Sequence, residues 1–206
     1  MVLKLGVTTG SIEADVIKTS SLLNADGNPY GEWEIIAFTE TSSSVASQNF
    51  DITGAEYTKY DDIRFHGSQI TTVTDGVNFL AYVSKDNAAT YRTDYRDLIA
   101  RSTDATTNFT HSYSASRGNI EIMQGTGNDA WARHWLDFIC IDPFVSKSDH
   151  MYEHVAGWWA DDTAYNHGFG GATTTLSGTI ATDIKFQASS GNIDGGYWVS
   201  YGRYTR

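Results

Sequence analysis

Short runs in which apolar and polar residues alternate set the terms for this chain. Ile63-Arg64-Phe65-His66, Ile120-Glu121-Ile122-Met123, Ile184-Lys185-Phe186-Gln187-Ala188 and Tyr197-Trp198-Val199-Ser200-Tyr201 change character at almost every step. A period of two gives an extended strand one dry face and one wet face, the pattern of antiparallel sheet. Trp33–Phe38, Phe50–Ile52, Val77–Val83, Tyr91–Ile99, Trp135–Ile141 and Val155–Trp159 read as further strands. Turn chemistry separates them at Asn24-Ala25-Asp26-Gly27-Asn28-Pro29, Thr74-Asp75-Gly76, Ser84-Lys85-Asp86-Asn87, Ser116-Arg117-Gly118-Asn119 and Ser190-Gly191-Asn192. Gly168-Phe169-Gly170-Gly171 and residues 191–196 read as bulges and tight turns. Thr41-Ser42-Ser43-Ser44 and Thr173-Thr174-Thr175 read as loop or edge pieces. No long amphipathic helix competes. About ten strands at this spacing predict an all-β fold, a single antiparallel β-sandwich of jelly-roll type.

The chain of 206 residues has room for one sizeable domain, and 9 Phe, 12 Tyr and 6 Trp supply its core. Charged residues are only 19%, while about a fifth of the chain is Ser or Thr, a polarity that suits sheet better than a helical bundle. Residues 1–30 differ, with no aromatic before Tyr30. We read them as an N-terminal arm that attaches to a neighbour through Leu3, Leu5, Val7, Val16 and Ile17, with an ordinary first strand as the alternative. Residues 31–206 form the predicted β domain.

A net charge of −11 with no basic run argues against a phosphate-tracking nucleic-acid binder and against attachment to anionic lipid. No apolar stretch reaches the length of a membrane-spanning helix. Met1 to Gly6 is too short an apolar core for a signal peptide, so synthesis in a cytoplasm is expected. Cys140 is the one cysteine, set in Phe138-Ile139-Cys140-Ile141, and reads as a buried, inert thiol.

Candidate chemistry is sparse, and no cofactor or metal is expected. His150 and His154 would share a helix face and could hold zinc there. Their flanks read as turn and strand, and on a strand they stand about 13 Å apart, too far for one ion. The expectation is a solvated loop-to-strand junction. Asp61-Asp62 and Asp161-Asp162 are carboxylate pairs of the kind that chelate calcium or hydrolyse sugars, or else plain surface charge. No Gly-x-Ser-x-Gly elbow is present, and the Gly-rich stretches lack the Lys and following helix of a phosphate loop. Aromatic residues crowd the C-terminal half: Trp131, Trp135, Trp158, Trp159 and Trp198 with Tyr152, Tyr165, Tyr197, Tyr201 and Tyr204. Such rings fill a core, anchor a subunit interface or stack on sugars. Trp158, Trp159, Trp198 and Tyr201 are the candidate interface or glycan platform. The Trp158-Trp159 doublet must split between faces if extended.

Four stretches carry a resemblance: Asn24 to Pro29 with Tyr30-Gly31-x-Trp33-x-Ile35-Ile36; Thr74-Asp75-Gly76-Val77-x-x-Leu80-x-x-Val83-Ser84-x-Asp86; Tyr95-Arg96; and Ser190-Gly191-Asn192-Ile193-x-x-Gly196 closing on Tyr201-Gly202. They resemble jelly-roll virion structural proteins of tailed phages, marine and cyanobacterial ones in particular, over roughly residues 24–204. The ending Arg203-Tyr204-Thr205-Arg206 departs from the usual Gly-Leu-like close. The resemblance implies a non-enzymatic particle protein that decorates a capsid or builds a tail fibre. It implies partners among other virion proteins, homo-oligomer assembly and a place in the virion. In it Asp75-Gly76 turns a hairpin, Gly191-Asn192 turns into the last strand and Gly202 ends it. Two alternatives stand beside this one: a module of a tail fibre that binds a host surface glycan, and an enzyme acting on polysaccharide through Asp161 and Asp162.

Overall fold

The computed structural model describes residues 31–103, 110–129, 131–146, 149–160, 164–175 and 178–205. These form twelve strands: β1 (Trp33–Thr41), β2 (Gln48–Asp51), β3 (Asp62–Thr72), β4 (Val77–Ser84), β5 (Tyr95–Thr103), β6 (Thr110–Arg117), β7 (Ile120–Thr126), β8 (His134–Ile141), β9 (Asp149–Ala160), β10 (Ala164–Thr175), β11 (Asp183–Ala188) and β12 (Ile193–Arg203). One helical turn, α1 (Ala55–Thr58), is the single helix among the described residues. The expected arm, with Leu3, Leu5, Val7, Val16 and Ile17, lies outside the described residues, as do Asp161 and Asp162.

All pairings are antiparallel, in one large and nearly barrel-shaped sheet. A continuous run leads through β1, β12, β3, β8 and β9, then along the whole far edge of β9 into β10, β5 and β6. A second path leaves β9 toward β7, β4, β11 and β2, joined to it by the single pair Thr126↔Ala160. These four strands fold back over the inner side of the run, and rings meet across the gap. Phe50 of β2 lies 4.7 Å from Phe65 of β3, Phe186 of β11 lies 5.2 Å from Trp198 of β12, and Phe138 of β8 meets Phe186 at 5.5 Å. The segment between β1 and β2 closes the wall, with Val45 and Ile193 exchanging two 2.8 Å backbone hydrogen bonds.

Period-two alternation builds this interior as the sequence predicts. In β8, His134, Leu136, Phe138 and Cys140 are buried and the residues between them are half-exposed. Each large apolar side chain brought inside contributes on the order of 1.5–3 kcal/mol.

Several expectations need correction. The alternation pattern marks no strand at β6 or β10. Gly168–Gly171 read as bulges and tight turns and Thr173–Thr175 as loop or edge pieces, yet β10 is a strand paired on both edges, with β9 and β5. His150 and His154 belong to β9 and are 0% and 2% exposed, so that stretch is a buried strand face and not a solvated junction. Asp75-Gly76 does turn the chain, with Gly76 at φ +66°, but β3 and β4 do not pair. The turn carries the chain from one wall of the interior to the other and makes no hairpin. Gly202 does not end β12. It sits within the strand, where a Cβ would collide with the Tyr60 ring.

Candidate functional site

Directly opposed residues in an antiparallel sheet share a face. The outer face of the long run can therefore be traced by register. One row passes from Phe38 through Val199, His66 and Asp137, then through Val155, Phe169, Ala100 and His111. The next passes from Ile35 through Tyr201, Arg64 and Ile139, then through Glu153, Gly171, Leu98 and Tyr113. Most of the large exposed apolar side chains fall in these two rows: Ile35 at 69%, Phe38 at 62%, Val155 at 46%, Phe169 at 54%, Leu98 at 47% and Tyr113 at 65%. Exposed apolar side chains gathered in this way on one face mark a candidate interaction surface.

A charged island sits in the middle. Asp137 accepts a hydrogen bond from Arg64 Nε at 2.8 Å, pairs with the guanidinium Nη2 at 2.7 Å and faces His66 Nδ1 at 3.0 Å. Burial pushes the Asp137 carboxyl up, but the hydrogen bonds and charges of His66 and Arg64 pull it down further, so the net shift is below its ordinary value. The Arg64 guanidinium lies 5.5 Å over the Tyr201 ring. Apolar residues flank the island on both sides.

Toward β6 the face is grooved. Gly171 leaves a gap walled by Met151 and Glu153 on β9, Leu98 and Arg96 on β5 and Tyr113 on β6, about 330 Å³ in volume. A neighbouring hollow of about 270 Å³ continues past Thr173 to Asp94 and Asp149.

The inner face of the same strands is dry. Trp158 and Trp198 are fully buried. The Trp158 indole donates to the Gln124 carbonyl at 2.8 Å, and the Trp198 indole donates to Thr41 Oγ1 at 3.2 Å. Neither can stack on a sugar or meet a subunit, so their candidacy as a platform is corrected: both occupy inward positions of their strands. The doublet splits, with Trp159 half-exposed on the outer face, where half-exposed Tyr201 also lies. Gly168 and Gly170 of β10 make room for this interior. A Cβ on Gly168 would press on the Trp158 ring, and one on Gly170 would overlap the Leu98 carbonyl and the His154 ring.

Buried histidines line the same side. His134 Nε2 bonds the Gly127 carbonyl at 2.9 Å, and Nδ1 accepts the Trp159 amide at 3.3 Å, which fixes a neutral ring. His154 has no hydrogen-bond partner on either nitrogen among the described residues. Burial pulls both rings down to about 4. Burial also raises Asp97 to about 6, against a hydrogen bond from the Glu121 amide that lowers it. Among the described residues no group of three or more His, Cys, Asp or Glu is placed to hold a metal ion. Asp62 bonds Arg203 and the Asp142 amide, and Asp61 accepts the Thr205 amide, so this carboxylate pair ties the chain end to β3. Cys140 is fully buried and its thiol is pushed up by that burial.

Sequence reasoning missed Ile35, Phe38, Leu98, Tyr113 and Phe169 as members of one face. No protein-family model and no curated protein sequence matches this chain. Among the described residues no helix is long and apolar enough to cross a membrane.

Proposed function

We propose that this chain is a non-enzymatic structural protein of a tailed-phage particle. Residues 31–206 form a β-sandwich of jelly-roll type that self-associates through the outer face of its long strand run, and residues 1–30 attach it to other virion proteins. Its place is the virion, as capsid decoration or tail appendage, after synthesis in the host cytoplasm. The observation that carries this reading is the set of apolar side chains, Ile35, Phe38, Val155, Leu98 and Tyr113 among them, that packing among the described residues leaves exposed in two rows across eight strands. The resemblance of the Thr74–Asp86 and Ser190–Gly202 stretches to phage virion proteins supports it. The occupant is a second copy: apolar flanks on both sides of an island carrying both charge signs match themselves when a twofold axis runs along the strands.

Light scattering on the intact chain, from micromolar to submillimolar concentration, tests the reading. The wild type is expected to be oligomeric, and Phe38→Asp combined with Leu98→Asp is expected to be a folded monomer. A wild type that stays monomeric throughout contradicts it. Stoichiometry in purified particles then separates decoration, at hundreds of copies, from a tail component, at about a dozen.

A further inference from the structure

A second feature of the outer face starts in the row next to Val155 and Phe169 and runs toward the Ala160 end of β9 and the Ala164 end of β10. Gly157 of β9 stands opposite Trp135 of β8 and His167 of β10, and Trp159 stands opposite Tyr165. A Cβ on Gly157 would overlap both the Tyr165 hydroxyl and the Trp135 indole nitrogen, so these two side chains lie over the glycine. Trp135 Nε1 donates to the Tyr165 hydroxyl at 2.9 Å, locking them together. The ring series continues from there. Tyr165 meets Trp159 at 5.3 Å with planes at 58°, Trp159 meets Trp131 edge-on at 5.0 Å and 80°, and Tyr165 meets His167 at 4.6 Å and 88°. Trp131 lies within the turn that the Ala132 amide closes on the Asp129 carbonyl, and it is 51% exposed.

We propose that Trp131, Trp159 and Tyr165, with His167 at the rim, form a binding platform for an uncharged oligosaccharide. Three properties point to that ligand class. Indole and phenol faces attract the polarised C–H face of a pyranose ring, and here the Tyr165 ring is held by the Trp135 hydrogen bond before any ligand arrives, so little of its order is lost on binding. Polar groups sit among the rings to meet sugar hydroxyls: the Tyr165 hydroxyl accepts from Trp135 and keeps its own proton to donate, and the exposed His167 imidazole both donates and accepts. The net charge of −11 opposes the approach of an acidic polymer. The edge-on packing of Trp131 against Trp159 leaves no box between the rings for a cationic head group, so the contact offered is a stacking surface.

This inference goes beyond assembly and uses none of the side chains on which assembly is tested. Tryptophan fluorescence of the intact chain is followed during titration with maltohexaose, cellohexaose and chitohexaose, and with hexagalacturonate as the charged counterpart. Saturable change with at least one neutral oligomer is expected below about 10 mM. Trp131→Ala is expected to weaken binding at least about tenfold, with melting temperature and oligomeric state unchanged. Tyr165→Phe keeps the ring, removes the donor and is expected to lose about two- to fivefold. No saturable change with any neutral oligomer overturns the proposal. So does equal affinity in folded Trp131→Ala, or a preference for hexagalacturonate.

Discussion

The two faces of β9 and β10 use the same backbone for opposite ends. On the inner face Tyr152, His154 and Trp158 are buried, and Gly168 and Gly170 oppose Ala156 and His154 across the ladder. On the outer face Val155 opposes Phe169 and Glu153 opposes Gly171, all beside solvent. Both faces contain glycine, but for different reasons. Gly170 is demanded, because a side chain there would run into a backbone carbonyl and a buried ring. Gly171 is not: a Cβ would meet only the Tyr152 carbonyl, at an ordinary 3.4 Å. An inner glycine keeps the fold closed, and the outer one opens a groove. Composition alone does not distinguish them.

Substitution should separate the two faces cleanly. On the inner side Trp158→Ala leaves a large hole and an unpaired Gln124 carbonyl, and should lower unfolding free energy by about 3–5 kcal/mol in denaturant titration. Gly170→Ala should cost about 2–3 kcal/mol, because neither the Leu98 carbonyl nor the packed His154 ring can retreat freely. A Gly170→Ala protein as stable as wild type would break the comparison.

Acid should act through the inner face as well. The rings of His134 and His154, near 6.5 when unfolded, are held at about 4 in the fold. Between those values the unfolded chain binds more protons, so stability falls as pH drops from 6.5 toward 4, by about 3 kcal/mol for each ring. Asp97 works the other way. Raised from 3.8 to about 6, it adds stability as pH falls through 6, on the order of 3 kcal/mol, and so offsets one of the two histidines. The net expectation is a loss of about 3 kcal/mol between pH 6.5 and 4. His154→Phe should remove most of it, and an unchanged pH profile in that variant would show that His154 is not the cause.

Effects on the outer face should be small in stability and visible in association. Gly171→Ala should change unfolding free energy by no more than about 0.5 kcal/mol. Asp137→Ala should cost at most about 1 kcal/mol, since the island is half-exposed and water competes for it. Deleting residues 1–20 should leave the melting transition in place and abolish incorporation into particles. Normal incorporation of the truncated chain would overturn the attachment role proposed for Leu3, Leu5, Val7, Val16 and Ile17.

What could be read from the sequence depended on how much of a strand's character was local. β8 and β12 were legible because their alternation is nearly complete and their inward residues are large. β10 was not, because Gly168 and Gly170 answer to the rings of Trp158 and His154, which lie on another strand. β6 was missed because its residues are mostly hydroxyl-bearing and an edge strand needs no buried row of its own. The tryptophans show the same limit. Trp158 and Trp198 looked like a platform by type, but which face a residue takes is set by parity along its strand, and that parity is shared with Tyr152, Ala156 and Ser200. Trp159, one step out of phase with its neighbour, is the member of the doublet that reached the surface. The outer rows join residues from Ile35 to Phe169, and only the strand order brings them together.

The central claim is that the outer face joins copies of this chain. Hydroxyl-radical footprinting of the assembled protein, against the Phe38→Asp, Leu98→Asp double variant, tests it most directly. The account predicts that Ile35, Tyr113 and Val155 are protected in the assembly and become reactive in the variant, while Trp131 reacts equally in both. Equal labelling of Ile35, Tyr113 and Val155 in both states would contradict it.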